Sequence, residues 1–195
     1  MPRQIDYYFT LLSPWTYLGH PTFVETAKRH GCTVSYKPTP LRMVFDETGG
    51  LPLPKRHPVR QRYRIFELQR WRAKRGLPLV IHPKHFPFDV SLADRTVLAI
   101  NAAGGNPAGF VGDVLAGVWA RDENLSRPEL IAESAGRAGF DGPALLQAAG
   151  SESIVERYAA TINEAIEAGV FGAPSYGLDG EVFGGQDRLD LPERA

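Results

Sequence analysis

The sequence predicts an α/β fold in which a helical segment is inserted between two mixed α/β segments. Three observations support this prediction. The first 38 residues have the pattern strand, helix, strand, whereas residues from about 41 to 150 show mainly helical spacing of apolar side chains. From residue 152 onward the pattern returns to a helix followed by a strand hairpin. We therefore expect one unit built from residues 1–40 and 151–195, and an inserted helical domain at residues 41–150.

The first unit begins with a strand, a helix and a second strand. Residues 4–11 are rich in aromatic side chains, which predicts a buried strand. Serine is a good helix N-cap, and proline fits the first helical turn because its missing N–H is not needed there. A helix is therefore expected from Ser13-Pro14 to Gly31, and the β-branched run at residues 32–37 predicts the second strand.

The inserted segment is predicted to be helical apart from two connections. Residues 41–58 are predicted to be loop-like and residues 77–88 to be irregular, because glycines and prolines interrupt them. Within the first helix, Val59, Tyr63 and Phe66 recur at the spacing of an apolar face. The predicted helices lie at residues 57–76, 91–103, 107–121 and 127–138, and after Asp141-Gly142-Pro143.

The last segment is predicted to contain a helix, a hairpin and a final short helix. Residues 152–168 carry apolar side chains on one helical face. Residues 170–176 form an apolar run that Pro174 interrupts, which indicates an edge strand, a bulge or a cis peptide bond. Asp179-Gly180 is a hairpin turn signal, and the glycines before Asp187 are expected to open the final helix.

The composition argues against several classes of function. Lys plus Arg equals Asp plus Glu at 22 each, so no net charge attracts a nucleic acid or an anionic membrane. No apolar run approaches the roughly 18 residues that span a bilayer, and the N-terminus lacks a signal-peptide pattern. Cys32 is the only cysteine, and the histidines of the proline-rich loops lack metal-ligand spacing. We expect a cytoplasmic protein with no metal and no nucleic-acid or membrane partner.

Three short motifs are candidates for chemistry. Residues 13–16 (Ser-Pro-Trp-Thr) begin a helix, where unpaired N–H groups stabilise an anion, and they carry hydroxyls where a redox tetrad has cysteines. A cis bond before Pro174 would leave the Ala173 backbone free to pair with an extended peptide. Glycines followed by Asp187-Arg188 suit a ligand with an amine and a carboxylate. Taken singly, the first and third motifs are better explained by a helix cap and a glycine turn, and the second is a weak signal that a strand-entry proline also explains.

In this order and separation, the motifs resemble the DsbA-like branch of the thioredoxin superfamily, and within it the 2-hydroxychromene-2-carboxylate isomerases and the kappa-class glutathione transferases. The resemblance covers nearly the whole chain. Its most specific part is the pairing of residues 169–174 (Gly-Val-Phe-Gly-Ala-Pro) with residues 185–189 (Gly-Gln-Asp-Arg-Leu). It implies a thioredoxin-like fold with a helical insertion (DsbA-like), glutathione as cofactor and a homodimer.

The resemblance also implies roles for individual residues. Ser13 matches the catalytic serine that faces the glutathione sulfur. Ala173, which precedes the cis-proline Pro174, matches the residue whose backbone pairs with the cysteinyl part of glutathione. Asp187 and Arg188 match the pair that holds the γ-glutamyl end.

The substrate site is expected on the basic helix of the insert. Residues 55–75 hold nine Lys or Arg against one acid, Glu67, and a solvated face explains most of these charges. Arg60 and Tyr63 are the candidates for binding a small aromatic carboxylate. This chain has Arg60 where the isomerases commonly have Lys, and Gly184 where they usually have Trp.

The activity that the resemblance implies is a glutathione-dependent isomerisation of a substrate such as 2-hydroxychromene-2-carboxylate, through reversible addition of a thiolate. The alternative is a kappa-like glutathione transferase or peroxidase, in which the thiolate attacks irreversibly or is oxidised. A third possibility is a thioredoxin-fold binding module without catalysis, which the intact set of motifs argues against.

Overall fold

The computed structural model describes residues 3–189 of the 195-residue chain. Strands occupy the two ends of this range, and helices fill the middle. In chain order, with a single 3₁₀ turn at Leu53–Lys55, the elements are β1 (Gln4–Phe9), α1 (Pro14–Arg29), β2 (Thr33–Pro38), α2 (Leu41–Thr48), α3 (Pro58–Arg75), α4 (Ser91–Ala102), α5 (Ala108–Trp119), α6 (Pro128–Arg137), α7 (Gly142–Ala149), α8 (Glu152–Glu167), β3 (Ser175–Leu178) and β4 (Glu181–Gly184).

The four strands form one mixed sheet in the order β2-β1-β3-β4. β1 pairs with β2 in parallel, whereas β3 pairs antiparallel with both β1 and β4. Tyr7 lies opposite Tyr36 of β2 and Tyr176 of β3 in the register, and its ring stacks on the Tyr176 ring at 5.6 Å. Phe23 of α1 packs against both of these rings, so an aromatic layer joins the first helix to the centre of the sheet.

A single apolar cluster contains residues from the sheet and from the insert. Tyr7 and Phe9 of β1 belong to the same cluster as Val97 of α4, Phe110 of α5 and Trp119, all of which are buried. The division into residues 1–40 with 151–195 and an insert at 41–150 stays a prediction, because this continuous core draws no boundary between the two parts.

The prediction of a loop over residues 41–58 is wrong for its first half. α2 occupies Leu41–Thr48 and ends at Gly49, whose left-handed φ of 78° suits glycine. Val44 and Phe45 of this helix are buried. The three prolines that suggested a loop, at positions 52, 54 and 58, all lie after the end of α2, so a helix of two turns fits before them.

The predicted apolar face of α3 is also wrong. Val59, Tyr63 and Phe66 are 53%, 58% and 55% exposed, whereas Leu68 is fully buried and Trp71 packs against the core. Arg64 and Arg75 continue the packed face, where both are partly buried. Arginine has a long apolar stem that covers apolar surface, so a pattern that counts it only as a charge selects the wrong face.

The hairpin is confirmed, and the final helix is not observed where it was predicted to begin. Asp179 and Gly180 form the turn between β3 and β4, with φ values of 50° and 87°. Residues 185–189 form a turn instead of a helix, and the remainder of the predicted helix lies outside the described residues. None of the helices within residues 3–189 is long and apolar enough to cross a membrane.

Candidate active site

Ser13 caps the N-terminus of α1, as the sequence predicts. Its backbone is extended, with φ −93° and ψ 121°, and its Oγ accepts a hydrogen bond of 3.1 Å from the Thr16 N–H. The Ser13 N–H donates to the Thr10 carbonyl at 3.0 Å, which fixes the loop between β1 and the helix. The hydroxyl is thus held at the positive end of α1, with only 7% of the residue exposed.

The same hydroxyl joins the first motif to the second. The Ser13 Oγ donates to the Ala173 carbonyl oxygen at 3.2 Å, and the peptide bond between Ala173 and Pro174 is cis, as predicted. Both hydrogen bonds of the hydroxyl therefore go to the backbone. To donate to a bound ligand, the O–H has to turn away from the Ala173 carbonyl.

The third motif is attached to the second through the backbone. The Gly185 N–H donates to the Pro174 carbonyl oxygen at 2.8 Å, and the Arg188 N–H donates to Gly185 at 3.2 Å. Gly185 has a φ of 110°, and a Cβ at this position would lie 2.5 Å from an Asp187 carboxylate oxygen. Glycine is therefore required for the carboxylate of Asp187 to fold back over the turn.

The charged pair of this motif faces solvent. The side chains of Asp187 and Arg188 are 45% and 58% exposed, and Arg188 Nε lies 3.7 Å from an Asp187 oxygen. Such an exposed pair holds the two groups together only weakly. Both groups are therefore accessible to a ligand.

A backbone donor that was not predicted lies beside Ser13. At the start of α1, Pro14 has no N–H, the Thr16 N–H is used by Ser13 Oγ, and the Tyr17 N–H donates to the Ser13 carbonyl at 3.0 Å. Within residues 3–189 the Trp15 N–H has no hydrogen-bond partner. The signal was present, because the second position of a helix always leaves its N–H unpaired inside the helix.

The site has donors and no base. The hydrogen-bond partners of the Ser13 Oγ in the described part of the chain are Thr16 and Ala173, and neither can accept a proton from the serine to make it a nucleophile. His20 of α1 is buried, and its Nε2 is engaged with the Ala108 carbonyl at 2.9 Å. The arrangement can stabilise an anion at the helix terminus, but it does not activate Ser13 for attack.

Comparison with known proteins gives the family and the fold of the chain. The family model of the DSBA-like thioredoxin domain matches residues 4–195. A 2-hydroxychromene-2-carboxylate isomerase of Sphingobium xenophagum is 31% identical over 200 residues, which cover 99% of this chain and 97% of that protein. The chain belongs to this isomerase family. Its fold is the DsbA-like thioredoxin fold with added helices, as predicted.

A solved isomerase structure and a more distant transferase are also similar to the chain over nearly its whole length. A solved 2-hydroxychromene-2-carboxylate isomerase superposes with a TM-score of 0.82 at 29% identity, covering 98% of this chain and 93% of that one. Glutathione S-transferase kappa 1 of Rattus norvegicus is 23% identical over 202 residues, which cover 97% of this chain and 89% of that protein. The isomerase relatives support an enzyme with isomerase activity.

One departure from the isomerase family has a visible consequence. At Gly184, where the isomerases usually have Trp, a Cβ would lie 3.1 Å from the tip of the Phe171 ring. The Phe171 ring therefore lies over Gly184 and is 58% exposed. A tryptophan at position 184 would have to displace it.

Arg60 and Tyr63 are not brought into contact with Ser13, Ala173 or Asp187. Both are exposed on α3, and across the described residues neither forms a hydrogen bond or an ion pair with Ser13, Ala173 or Asp187. Arg60 belongs instead to a group of positive charges. The pKa of Arg56 is lowered by burial and, to a smaller extent, by the positive charge of Arg60. The pKa of Arg64 is likewise lowered by burial and then by the positive charge of Arg56.

Proposed function

We propose that the protein is a glutathione-dependent isomerase of a small aromatic carboxylate such as 2-hydroxychromene-2-carboxylate. The observation that carries this proposal is the hydrogen bond of 3.2 Å from the Ser13 Oγ to the Ala173 carbonyl oxygen. It joins a capped helix N-terminus to the backbone before the cis-proline, next to the unpaired N–H of Trp15. This arrangement suits an extended peptide that carries a thiolate.

The chain has no thiol of its own at this site. Cys32 precedes β2, whereas Ser13 follows β1, and these two strands run in parallel. The cysteine and the serine therefore lie beyond opposite ends of these two strands. A thiol acting beside Ser13 has to come from a cofactor, and the names of the kappa-class relatives support glutathione.

Each part of the cofactor has a candidate partner on this chain. The Ser13 O–H and the Trp15 N–H are the proposed donors to the sulfur anion. The Ala173 backbone is proposed to pair with the cysteinyl unit, the Asp187 carboxylate to accept from the γ-glutamyl ammonium group, and Arg188 to bind the adjacent carboxylate. Their exposure makes Asp187 and Arg188 accessible to such a ligand.

Glutathione, when bound, supplies the nucleophile that adds reversibly to a conjugated carbon of the substrate. The chain's own contribution is to lower the pKa of the thiol and to orient the two reactants. Each decrease of one in the thiol pKa corresponds to about 1.4 kcal/mol of preference for the anion. Arg60, with Arg56 and Arg64 near it, is proposed to attract the substrate carboxylate, and Tyr63 to contact its aromatic ring.

Turnover with counted glutathione tests the proposal. The purified protein is mixed with 2-hydroxychromene-2-carboxylate in a large excess over glutathione, and both isomerisation and free thiol are followed. We expect many turnovers per glutathione, no conversion without it, and a constant amount of thiol. Conversion without glutathione would overturn the cofactor assignment.

The alternative, a kappa-like glutathione transferase or peroxidase, predicts a different stoichiometry in the same experiment. One thiol would disappear for each product formed, or glutathione disulfide would accumulate. A homodimer and a cytoplasmic setting also belong to the proposal. Light scattering on the eluted protein tests the dimer, and cell fractionation tests the location.

A further inference from the structure

Arg75, the last residue of α3, is directed at the turn that carries Asp187. Its Nη2 donates to the Gln186 carbonyl oxygen at 2.9 Å, and Nε and Nη2 donate to the Gln186 side-chain oxygen at 3.2 and 2.9 Å. Its Nη1 donates to Thr22 Oγ1 of α1 at 3.0 Å. The guanidinium also lies over the Trp71 ring, 5.3 Å from its centre. Arg75 thus bridges the insert, the first helix and the turn.

The turn itself is held tightly at Gln186. This residue is only 2% exposed, and its Cβ packs so close to α1 that a Cβ at Gly19 would lie 2.6 Å from it. Asp187, the next residue, is exposed. The turn therefore has one anchored residue followed directly by the residue proposed to bind the ligand.

Arg75 and Asp187 are close enough to act on a common neighbour. Both line a surface cleft of about 380 Å³ between α1, α3 and the turn. Burial raises the pKa of the Tyr176 hydroxyl well above its usual range; the positive charge of Arg75 acts against this rise, and the negative charge of Asp187 adds to it. Arg75 makes no hydrogen bond to Asp187 within the described residues; it binds both polar groups of Gln186, the residue before Asp187.

We propose that Arg75 is a positioning residue for recognition of the γ-glutamyl group: by fixing both polar groups of Gln186, it holds the Asp187 carboxylate where it can accept from the ligand's ammonium group. This inference rests on the proposed use of glutathione. It also gives the insert a role in cofactor binding, because α3 supplies the bridge. Four of the five N–H donors of Arg75 are engaged with Gln186 and Thr22.

The test compares glutathione with cysteinylglycine, which lacks the γ-glutamyl group. Calorimetry measures the dissociation constants of both thiols for the wild type and for Arg75→Met, which keeps an apolar stem and removes the donors. We expect the affinity for glutathione to fall about tenfold, because the hydrogen bond between the Asp187 carboxylate and the ligand's ammonium group is weakened. The affinity for cysteinylglycine should change less than about twofold. In turnover, the KM for glutathione should rise while kcat at saturation is retained.

Arg72→Met is the matched control. Arg72 lies one turn earlier on α3 and donates to the Leu79 carbonyl at 3.3 Å, away from the turn at Gln186. We expect it to leave both affinities unchanged. Gln186→Ala tests the same bridge from its other end, so the proposal stays testable if Arg75→Met does not fold.

A double variant identifies the group that Arg75 positions. In an Asp187→Asn background, Arg75→Met should cost no further affinity for glutathione, because the carboxylate it orients is already gone. If Arg75→Met lowers the affinity for glutathione and for cysteinylglycine equally, the role of Arg75 is merely structural and the inference is overturned. An unchanged affinity for glutathione in Arg75→Met would overturn it as well. If the wild type itself does not distinguish glutathione from cysteinylglycine, the proposed cofactor site is wrong and this inference falls with it.

Discussion

The Ser13→Ala variant separates the helix cap from the chemistry. The change removes the acceptor of the Thr16 N–H and the donor to the Ala173 carbonyl. Loss of an N-cap of this kind costs about 1 kcal/mol of folding stability. In a chain of this size, that corresponds to a decrease of about 2–4 °C in the melting temperature.

The effect on bound glutathione follows from the same two contacts. A hydrogen bond to a charged group is worth about 1.5–3 kcal/mol, whereas the bond to Ala173 that Ser13 gives up is worth about 1 kcal/mol. The net loss of about 0.5–2 kcal/mol raises the pKa of the bound thiol by about one and slows turnover about tenfold. Activity should not vanish, because the Trp15 N–H and the helix terminus remain.

Ser13→Gly is the matched control, since glycine at an N-cap costs only a few tenths of a kcal/mol. Both variants lack the hydroxyl, so both should raise the thiol pKa equally, while only the alanine variant melts clearly lower. The pKa is read from the ultraviolet absorbance of the thiolate during a pH titration of the complex. If it is unchanged in both variants, Ser13 is only a cap and its catalytic assignment is refuted.

Three further predictions concern buried ionisable groups and the glycine turn. Burial lowers the pKa of His20 to about 4, so the folded protein keeps it neutral where the unfolded chain, with a pKa of 6.5, binds a proton. The free energy of unfolding therefore falls by about 3 kcal/mol as the pH drops from about 6.5 to 4, and His20→Gln should remove this contribution in urea titrations. Burial raises the pKa of Asp94 from 3.8 to about 7, so its contribution has the opposite sign, and stability is lost as the pH rises through this range. Asp94→Asn should therefore stabilise the protein more at pH 8 than at pH 5, by about 3 kcal/mol at most. Gly185→Ala should weaken glutathione binding by more than about tenfold in calorimetry, because the added Cβ displaces the Asp187 carboxylate.

Each of these predictions has its own contrary result. Equal pH dependence in the wild type and the His20 variant would show that this imidazole is not held neutral. A uniform effect of Asp94→Asn at both pH values would show that its carboxyl is ionised throughout. Gly180→Ala is the control for the turn, because Gly180 also has a positive φ of 87° but has no neighbour within 4 Å of a Cβ. If both glycine variants bind glutathione like the wild type, Asp187 is not its ligand.

The sequence predicted those parts of the molecule that depend on local chemistry. The Ser13 cap and the hairpin turn at residues 179–180 follow from the conformational preferences of a few adjacent residues. For Pro174 the local sequence left an edge strand, a bulge or a cis bond open, and the family resemblance selected the cis bond. The proximity of the three motifs was predictable only through the family resemblance, because the bond between Ser13 and Ala173 joins residues 160 positions apart.

The features that the sequence analysis missed depend on tertiary packing. On α3, the exposed Val59 and Tyr63 fit a helical period as well as the buried Leu68 does. Which face of α3 is buried is decided by its packing against α1 and the core. The bridge from Arg75 to Gln186 spans 111 positions, and nothing in either local sequence indicates it. Charged residues with long apolar stems are ambiguous in this way, because burial of the stem depends on what lies opposite.

A crystal structure of the protein with bound glutathione tests the central claim most directly. The account predicts that the sulfur lies within hydrogen-bond distance of the Ser13 Oγ and the Trp15 N–H, that the cysteinyl backbone pairs with Ala173, and that the ammonium group contacts Asp187. In that complex, the Ser13 hydroxyl should have left the Ala173 carbonyl. A sulfur found away from Ser13, or joined in a disulfide to Cys32, would contradict the claim.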